Sequence, residues 1–200
     1  TILINGSGVD LNKFQPIKEI SDESKRIVLL PARIVKSKGI YEFIQSAKKL
    51  KGSAKFIICG DFDFEAKDSI SSEEIQFWVN NSTIEYIGYK TNMEEIIPQS
   101  SIVVLPSYRE GLPKVLCEAA ACGIPVITTN VPGCRDAIID QETGILVPPR
   151  ESEELTLAIN SLLKNPKKLK KLGKAGRRLS EEKFDIKKIV DSHMKVYRDK

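Results

Sequence analysis

The sequence predicts an α/β fold: a Rossmann-like, doubly wound, mostly parallel six-stranded sheet with helices on both faces. Three observations predict it. Six short apolar runs recur along the chain, at 26–32 (RIVLLPA), 54–60 (AKFIICG), 83–88 (TIEYIG), 101–105 (SIVVL), 125–129 (PVITT) and 144–147 (GILV). Segments with helical spacing separate most of them. Between 101 and 129 the order strand, polar loop, Ala-rich helix, strand can be followed residue by residue.

Residues 1–5 alternate loosely and read as an entry strand or linker that runs to residue 21. Gly6-Ser7-Gly8-Val9-Asp10 forms a loop with Phe14 and Pro16. It is not a dinucleotide fingerprint, because the third glycine is absent and Phe14-Gln15-Pro16 stands where a helix should start. Polar residues at 21–24 mark the entrance to a core spanning 22–181. After strand 26–32 comes a basic loop, 33–39 (RIVKSKG), then a helix over 38–50 with Ile40, Phe43, Ile44 and Ala47 on one face. Arg33 and Lys38 thus stand at the carboxyl end of the first strand, the edge where open α/β sheets bind ligands. Cations there can hold a diphosphate and offset the charge that grows as it leaves. On the loop alone, solvated surface charges are the default reading.

Strand 54–60 runs into Gly60-Asp61-Phe62-Asp63. Asp-x-Asp suggests a metal motif, but a hard cation wants more oxygen ligands nearby. No metal is expected, and one of the aspartates is expected to cap a helix. Residues 64–81 are helical in part, with Ile75, Phe77, Trp78 and Val79 toward the core. Strand 83–88 leads to the loop Tyr89-Lys90-Thr91 and a short helix, 92–98.

The loop after strand 101–105 ends in Glu110-Gly111-Leu112-Pro113, and a helix over 113–122 follows until Gly123 stops it. Pro113 suits the first helical position. The amides of Gly111, Leu112 and Lys114 then lie near a helix N-terminus, which favours an anion, above all phosphate. Gly111 lets the backbone approach a ligand closely. Glu110 and Glu118 frame this loop with seven residues between them. Ionised carboxylates only accept hydrogen bonds, so beside a phosphate their partners would be hydroxyls of ribose or a sugar. From spacing alone, a capping carboxylate and a surface helix glutamate remain the simpler reading.

Beyond it, 130–133 (NVPG) is a turn, 134–139 a short helix carrying Arg135 and Asp136, and 144–147 the last strand. Helix 152–163 has leucines at helical spacing. The stretch from Lys164 to Arg178 carries eight basic residues and no acidic one, with Leu169, Leu172, Ala175 and Leu179 as its apolar face. It reads as a helix docked on the core with a solvated basic side, or as one lying on anionic lipid. The C-terminal segment 182–200 holds a final helix, 185–198, that turns Ile186, Ile189, Val190 and Met194 inward and leaves His193 at the surface.

Composition bounds the function. Two hundred residues, 41% of them apolar, make one domain with a real core. No run approaches the ~20 apolar residues of a membrane span. A net charge of +4 is mild, and no nucleic-acid recognition pattern accompanies it. Four cysteines form no CxxC, and one histidine leaves neither a zinc site nor a Ser/His/Asp triad. Reduced, buried thiols of the cytoplasm are expected.

The stretch SYREGLPKVLCEAAACGIPV resembles the E-x7-E signature of the large retaining glycosyltransferase family usually numbered four, which has the two-domain GT-B fold. The match includes Gly111-Leu112-Pro113 after the first glutamate and EAAACGIPV from the second. Gly8-Val9-Asp10 with Phe14 resembles the family's G-V-D-x-x-x-F segment, and Arg33 with Lys38-Gly39 its R-x-x-x-x-K-G pair. The resemblance covers nearly the whole chain and implies the C-terminal, donor-binding half of such an enzyme. It implies that Arg33 and Lys38 bind the donor's diphosphate and that Glu110 meets the donor sugar's hydroxyls. Backbone amides of Gly111, Leu112 and Lys114 around Pro113 would meet sugar or phosphate, and Glu118 would hold the ribose. Backbone at Tyr89 and Lys90 would contact the base. It implies no cofactor and no metal, a nucleotide-sugar donor, UDP-linked by preference over GDP, and a glycan or lipid-linked acceptor in bacterial surface polysaccharide assembly. That acceptor would bind an N-terminal domain absent from this chain, which opens on Thr1 and reads as mid-protein. Contact with the membrane's inner face through Lys164 to Arg178 fits such acceptors. A nucleotide-sugar 2-epimerase half and a non-catalytic nucleotide-binding module are the competing readings; a Rossmann dehydrogenase is disfavoured by the missing third glycine.

Overall fold

The structure, a computed structural model, describes residues 6, 8–17 and 26–198. The entry strand expected at 1–5 and the polar entrance at 21–24 lie outside the described residues. Six strands, β1 (Ile27–Pro31), β2 (Lys55–Cys59), β3 (Glu85–Tyr86), β4 (Ile102–Leu105), β5 (Val126–Thr129) and β6 (Gly144–Val147), form one sheet in the order β3-β2-β1-β4-β5-β6. Every pairing is parallel, as in Val28 opposite Phe56 and Ile102, or Val104 opposite Ile127. Their apolar, unalternating sequences suit a sheet buried on both faces. Val28 and Leu30 point to one side's core and Leu29 to the other.

Among the described residues, seven helices flank the sheet: α1 (Ile40–Lys49), α2 (Ser72–Asn80), α3 (Met93–Ile96), α4 (Lys114–Ala121), α5 (Ser152–Leu163), α6 (Pro166–Lys183) and α7 (Ile186–Arg198). α1 packs on α5 and α4 on α6. Ile40, Phe43, Ile44 and Ala47 of α1 are all buried, as their spacing requires. So are Leu172, Ala175 and Leu179 of α6. α6 is therefore docked on the core with its lysines outward. Among the described residues, no helix is long and apolar enough to cross a membrane. All four cysteines are buried with free thiols.

Several local expectations fail for identifiable reasons. α1 begins two residues later than expected, because Lys36–Lys38 forms a 3-10 turn and Gly39 is left-handed (φ 74°). Lys38 thus lies in the turn, not the helix. Pro113 flanks α4 rather than opening it: its ψ of 111° is extended, so it is the cap position. Neither Asp61 nor Asp63 caps a helix. Ser71 caps α2, accepting from the Glu74 amide at 3.2 Å while Glu74 reaches back to the Ser71 amide. Phe77 is 61% exposed; it lies about 200° around the helix from the buried Ile75. Residues 134–139 form a turn instead of a helix. Asp136 Oδ2 accepts the Gly133 amide at 3.1 Å, a local bond that competes with helical pairing. On α7 only Ile189 is buried, whereas Ile186, Val190 and Met194 are exposed. The Gly8–Val9 segment lies against that helix's first turn, with Val9 bridged to Asp185 just before it.

The exposure difference between two phenylalanines has a measurable consequence. Phe43→Ala is expected to cost about 3–5 kcal/mol in urea unfolding, as for other buried aromatics. Phe77→Ala should stay within about 0.5 kcal/mol of the native chain. Equal losses would show that α2 buries a different face.

Candidate functional site

The strand order reverses between β1 and β4, and in such sheets the crevice above the strands' carboxyl ends lies at the reversal. Two loops border it. The first, 32–39, leaves β1 still attached to the chain after β2: the Ile34 amide bonds the Asp61 carbonyl at 2.8 Å. Behind it, Asp68 Oδ2 accepts the Ser37 amide at 2.8 Å. Hydrogen bonding from the Ser37 side chain, and then from this amide, lowers the Asp68 carboxyl from its ordinary value. The second loop, 106–113, leaves β4 and enters α4. The Tyr108 amide donates to the Ser37 carbonyl at 2.8 Å, which joins the two loops.

This closeness depends on two glycines. A Cβ at Gly39 would stand 2.3 Å from the Pro106 carbonyl oxygen, and its φ is left-handed. A Cβ at Gly133, also left-handed, would stand 1.5 Å from the Gly111 carbonyl oxygen and 2.6 Å from that of Glu110. The turn after β5 thus braces the Glu110–Gly111 backbone from the far side.

Lys38 and Glu110 meet where the loops join. Lys38 Nζ and Glu110 Oε1 are 2.5 Å apart, with side chains 18% and 14% exposed. Ser107 Oγ donates to the same oxygen at 2.8 Å. Ser107 is itself buried, and its carbonyl accepts from Thr129 Oγ1. Among the described residues, Glu110 Oε2 has no protein donor and can take one from a ligand hydroxyl. The partly desolvated pair is stronger than a surface pair and leaves Lys38 two further N–H groups.

The other expected residues are placed as follows. Arg33 shares the first loop with Lys38 but turns to Asp63, forming an ion pair at 63% exposure of the arginine side chain. Asp61 Oδ1 accepts the neighbouring Phe62 amide at 2.9 Å. Among the described residues, no group of three or more acidic, histidine or cysteine side chains could hold a metal. Gly111 is exposed, with nothing near the position of a Cβ, and no side chain caps α4. The Lys114 and Val115 amides are therefore left for an anion, while that of Leu116 already bonds the Pro113 carbonyl at 3.1 Å. Leu112 is half-buried and Pro113 buried. Tyr89 and Lys90 are exposed on the loop after β3, which is tied to β2 by the Gly60 amide and Gly88 carbonyl at 3.0 Å.

Glu118 stands apart from Glu110. It is 8% exposed on α4 and pairs with Lys114 at 3.5 Å. Lys13 and Glu94, themselves 3.1 Å apart, complete its charged surroundings. Burial raises the Glu118 carboxyl above its ordinary value; Lys114 and Lys13 oppose the rise and Glu94 adds to it. The residues that sequence reading missed are Ser107, Tyr108, Asp68, Asp63 and Gly133. Ser107 carried a weak signal, three residues before Glu110; the others act across loops distant in sequence.

The Glu118 shift fixes a pH dependence. A carboxyl whose folded pKa lies above its unfolded one favours folding at low pH, and that contribution is lost as pH rises through the folded value. Glu118→Gln should therefore match the native chain's stability at acid pH and exceed it increasingly from the ordinary carboxylate range upward. Urea midpoints across pH would show it; a variant less stable at neutral pH would reverse the sign.

The family described as Glycosyl transferases group 1 matches residues 12–179. The N,N'-diacetylbacillosaminyl-diphospho-undecaprenol alpha-1,3-N-acetylgalactosaminyltransferase of Campylobacter jejuni is 30% identical over 206 residues, 98% of this chain and 53% of that protein. The capsular polysaccharide biosynthesis glycosyltransferase CapM of Staphylococcus aureus is 31% identical over 209 residues, 98% of this chain and 54% of that protein. The chain spans about half the length of these curated relatives. In fold it is similar to Anabaena Alr3699/HepE in complex with UDP, with a TM-score of 0.86 at 20% identity over 96% of this chain and 56% of that one. The C-terminal domain of the group 1 family protein LpcC from Francisella tularensis aligns along its whole length, 100%, with 90% of this chain, at a TM-score of 0.78 and 26% identity. With a six-stranded parallel sheet that matches GT-B glycosyltransferases and a family match running from the first described loop to α6, this chain belongs to the glycosyl transferases group 1 family.

Proposed function

We propose that this chain is the donor-binding half of a retaining glycosyltransferase of the family usually numbered four. The observation that carries the reading is the Lys38–Glu110 pair at the sheet's reversal, beside the uncapped N-terminus of α4. The donor is a nucleoside-diphosphate sugar, UDP-linked by preference, a choice supported by the UDP complex of a protein with the same fold. The diphosphate sits against the amides from Gly111 to Lys114 and takes charge from Lys38 and Arg33. Arg33 exchanges Asp63 for phosphate, a cheap exchange because the pair is solvent-exposed. Glu110 Oε2 accepts from hydroxyls of the sugar, and Glu118 accepts from those of the ribose. Backbone at Tyr89 and Lys90 reads the base.

Chemistry is displacement at the anomeric carbon with retained configuration. The bond to the diphosphate oxygen breaks, negative charge accumulates on the leaving group, and fixed cations and amides stabilise it more in the transition state than before. No metal or cofactor enters this scheme. The acceptor is a glycan or a lipid-linked glycan, a choice supported by the undecaprenol-linked and capsular roles in the relatives' names. It binds a second, N-terminal half, at the inner face of the membrane. α6 supports contact there by charge alone, since its apolar side is already buried.

Calorimetric titration with UDP, GDP and NADH tests the reading. UDP is expected to bind, and Glu118→Ala and Lys38→Ala should each weaken it about tenfold or more, the loss of ~1.4 kcal/mol or more of charge-assisted bonding. Binding of NADH, or of no nucleotide by a folded chain, would falsify the donor-domain reading. Without an acceptor half, the 200-residue chain should bind donor weakly and transfer no sugar. Turnover of a UDP-sugar onto an added acceptor by these residues alone would remove the need for the second half.

A further inference from the structure

The loop that carries Glu110 has a second attachment that the scheme above does not use. Tyr108, two residues before Glu110, sends its hydroxyl to Glu42 Oε1 at 2.7 Å. Glu42 is in the first turn of α1, four residues after Lys38. It is a 9% exposed carboxylate, and its other oxygen, Oε2, is buried with no hydrogen-bond partner. Over the Tyr108 ring lies the Arg150 guanidinium, its Cζ 4.7 Å from the ring centroid. Arg150 follows β6 in a left-handed conformation (φ 65°), so a third loop presses on the same side chain.

For packing alone this is a poor arrangement. A buried carboxylate with one oxygen unpartnered costs more than an apolar side chain of its size. What the contact does supply is a link at fixed length between α1, which begins where Lys38 ends, and the loop holding Ser107 and Glu110. The Tyr108 amide already bonds the Ser37 carbonyl at 2.8 Å. One residue therefore fastens the two loops by its backbone on one side and its hydroxyl on the other. Lys38 and Glu110 lie beside these two fastenings.

We propose that Tyr108, gripped by Glu42 and covered by Arg150, is a positioning residue that sets the distance between Lys38 and Glu110. Its effect on nucleotide binding rests on the donor-site reading; its effect on the ion pair does not. Burial, and then the Glu42 hydrogen bond, push the Tyr108 hydroxyl well above its ordinary pKa, so it stays a donor across the working range.

Two variants separate positioning from stability. Tyr108→Phe keeps the ring under Arg150 but leaves Glu42 buried with no partner, so both stability and UDP affinity should fall. Glu42→Met with Tyr108→Phe replaces both polar partners, which restores stability close to native. A merely structural role predicts that affinity returns with it. Positioning predicts that UDP binding by calorimetry stays weakened about tenfold. The pair is read without nucleotide by a double-mutant cycle of Lys38→Met and Glu110→Gln on urea unfolding. The coupling should be about threefold or more in the unfolding constant in the native background and lost in the Glu42→Met/Tyr108→Phe background. Undiminished coupling in that background, or affinity recovered together with stability, would overturn the proposal. If the native chain binds neither UDP nor GDP, the donor-site reading falls, while the cycle still decides the clamp.

Discussion

The Lys38–Glu110 pair depends on where the sheet reverses its winding. A parallel sheet wound in two directions leaves a crevice between the two central strands, because the chain leaves β1 toward one face and β4 toward the other. The loops after those strands are therefore the ones that can meet. They meet closely because Gly39 allows a backbone contact with Pro106 that any Cβ would forbid, and Gly133 lets the turn after β5 press on the second loop from the far side. Once the loops touch, a lysine ending one and a glutamate near the end of the other fall within a single hydrogen bond. Ser107 and the threonines at the end of β5 hold the second loop from below.

Burial sorts the charged groups into those that hold shape and those that can change partner. The Lys38–Glu110 side chains are mostly shielded, whereas Lys55–Glu85, on the sheet's edge, are 61% and 52% exposed. The first pair is positioned by the fold; the second adds little. Arg33 is of the exchangeable kind. Its partner Asp63 shares it with solvent, so an incoming anion competes with a weak interaction. Glu118 and Glu42 are the opposite case. Both lie under nearly complete cover, and for Glu118 burial raises the carboxyl above its ordinary value. Sites that break the ordinary rules of burial in this way are where stability and ligand binding pull apart.

The two C-terminal helices divide along similar lines. α6 turns Leu172, Ala175 and Leu179 onto the core and leaves its lysines to solvent. Any attraction of that face to anionic lipid is Coulombic and screened within about a Debye length of ~8 Å at physiological salt. α7 has the reverse character: apolar Ile186, Val190 and Met194 at helical spacing, all exposed. Periodicity marks which residues share a side of a helix, but not whether another element lies against that side.

By itself, the sequence determined the fold class, the six strands and their order along the chain, and the residues of the central loop. Those features are local: apolar runs, helical spacing and the Glu110–Gly111–Leu112–Pro113 stretch act within one turn or one strand of themselves. Resemblance to a known family singled out Glu110 and Glu118 through one contiguous stretch and Arg33 with Lys38 through another. Tertiary structure alone decided that Glu110 pairs with Lys38 and not with Glu118, that Arg33 turns to Asp63, and that Tyr108 reaches Glu42. It also decided that Phe77 faces water. Each of these is a contact set by how one loop or helix lies on another. A distance of 66 or 72 residues along the chain becomes one hydrogen bond only after the sheet has closed.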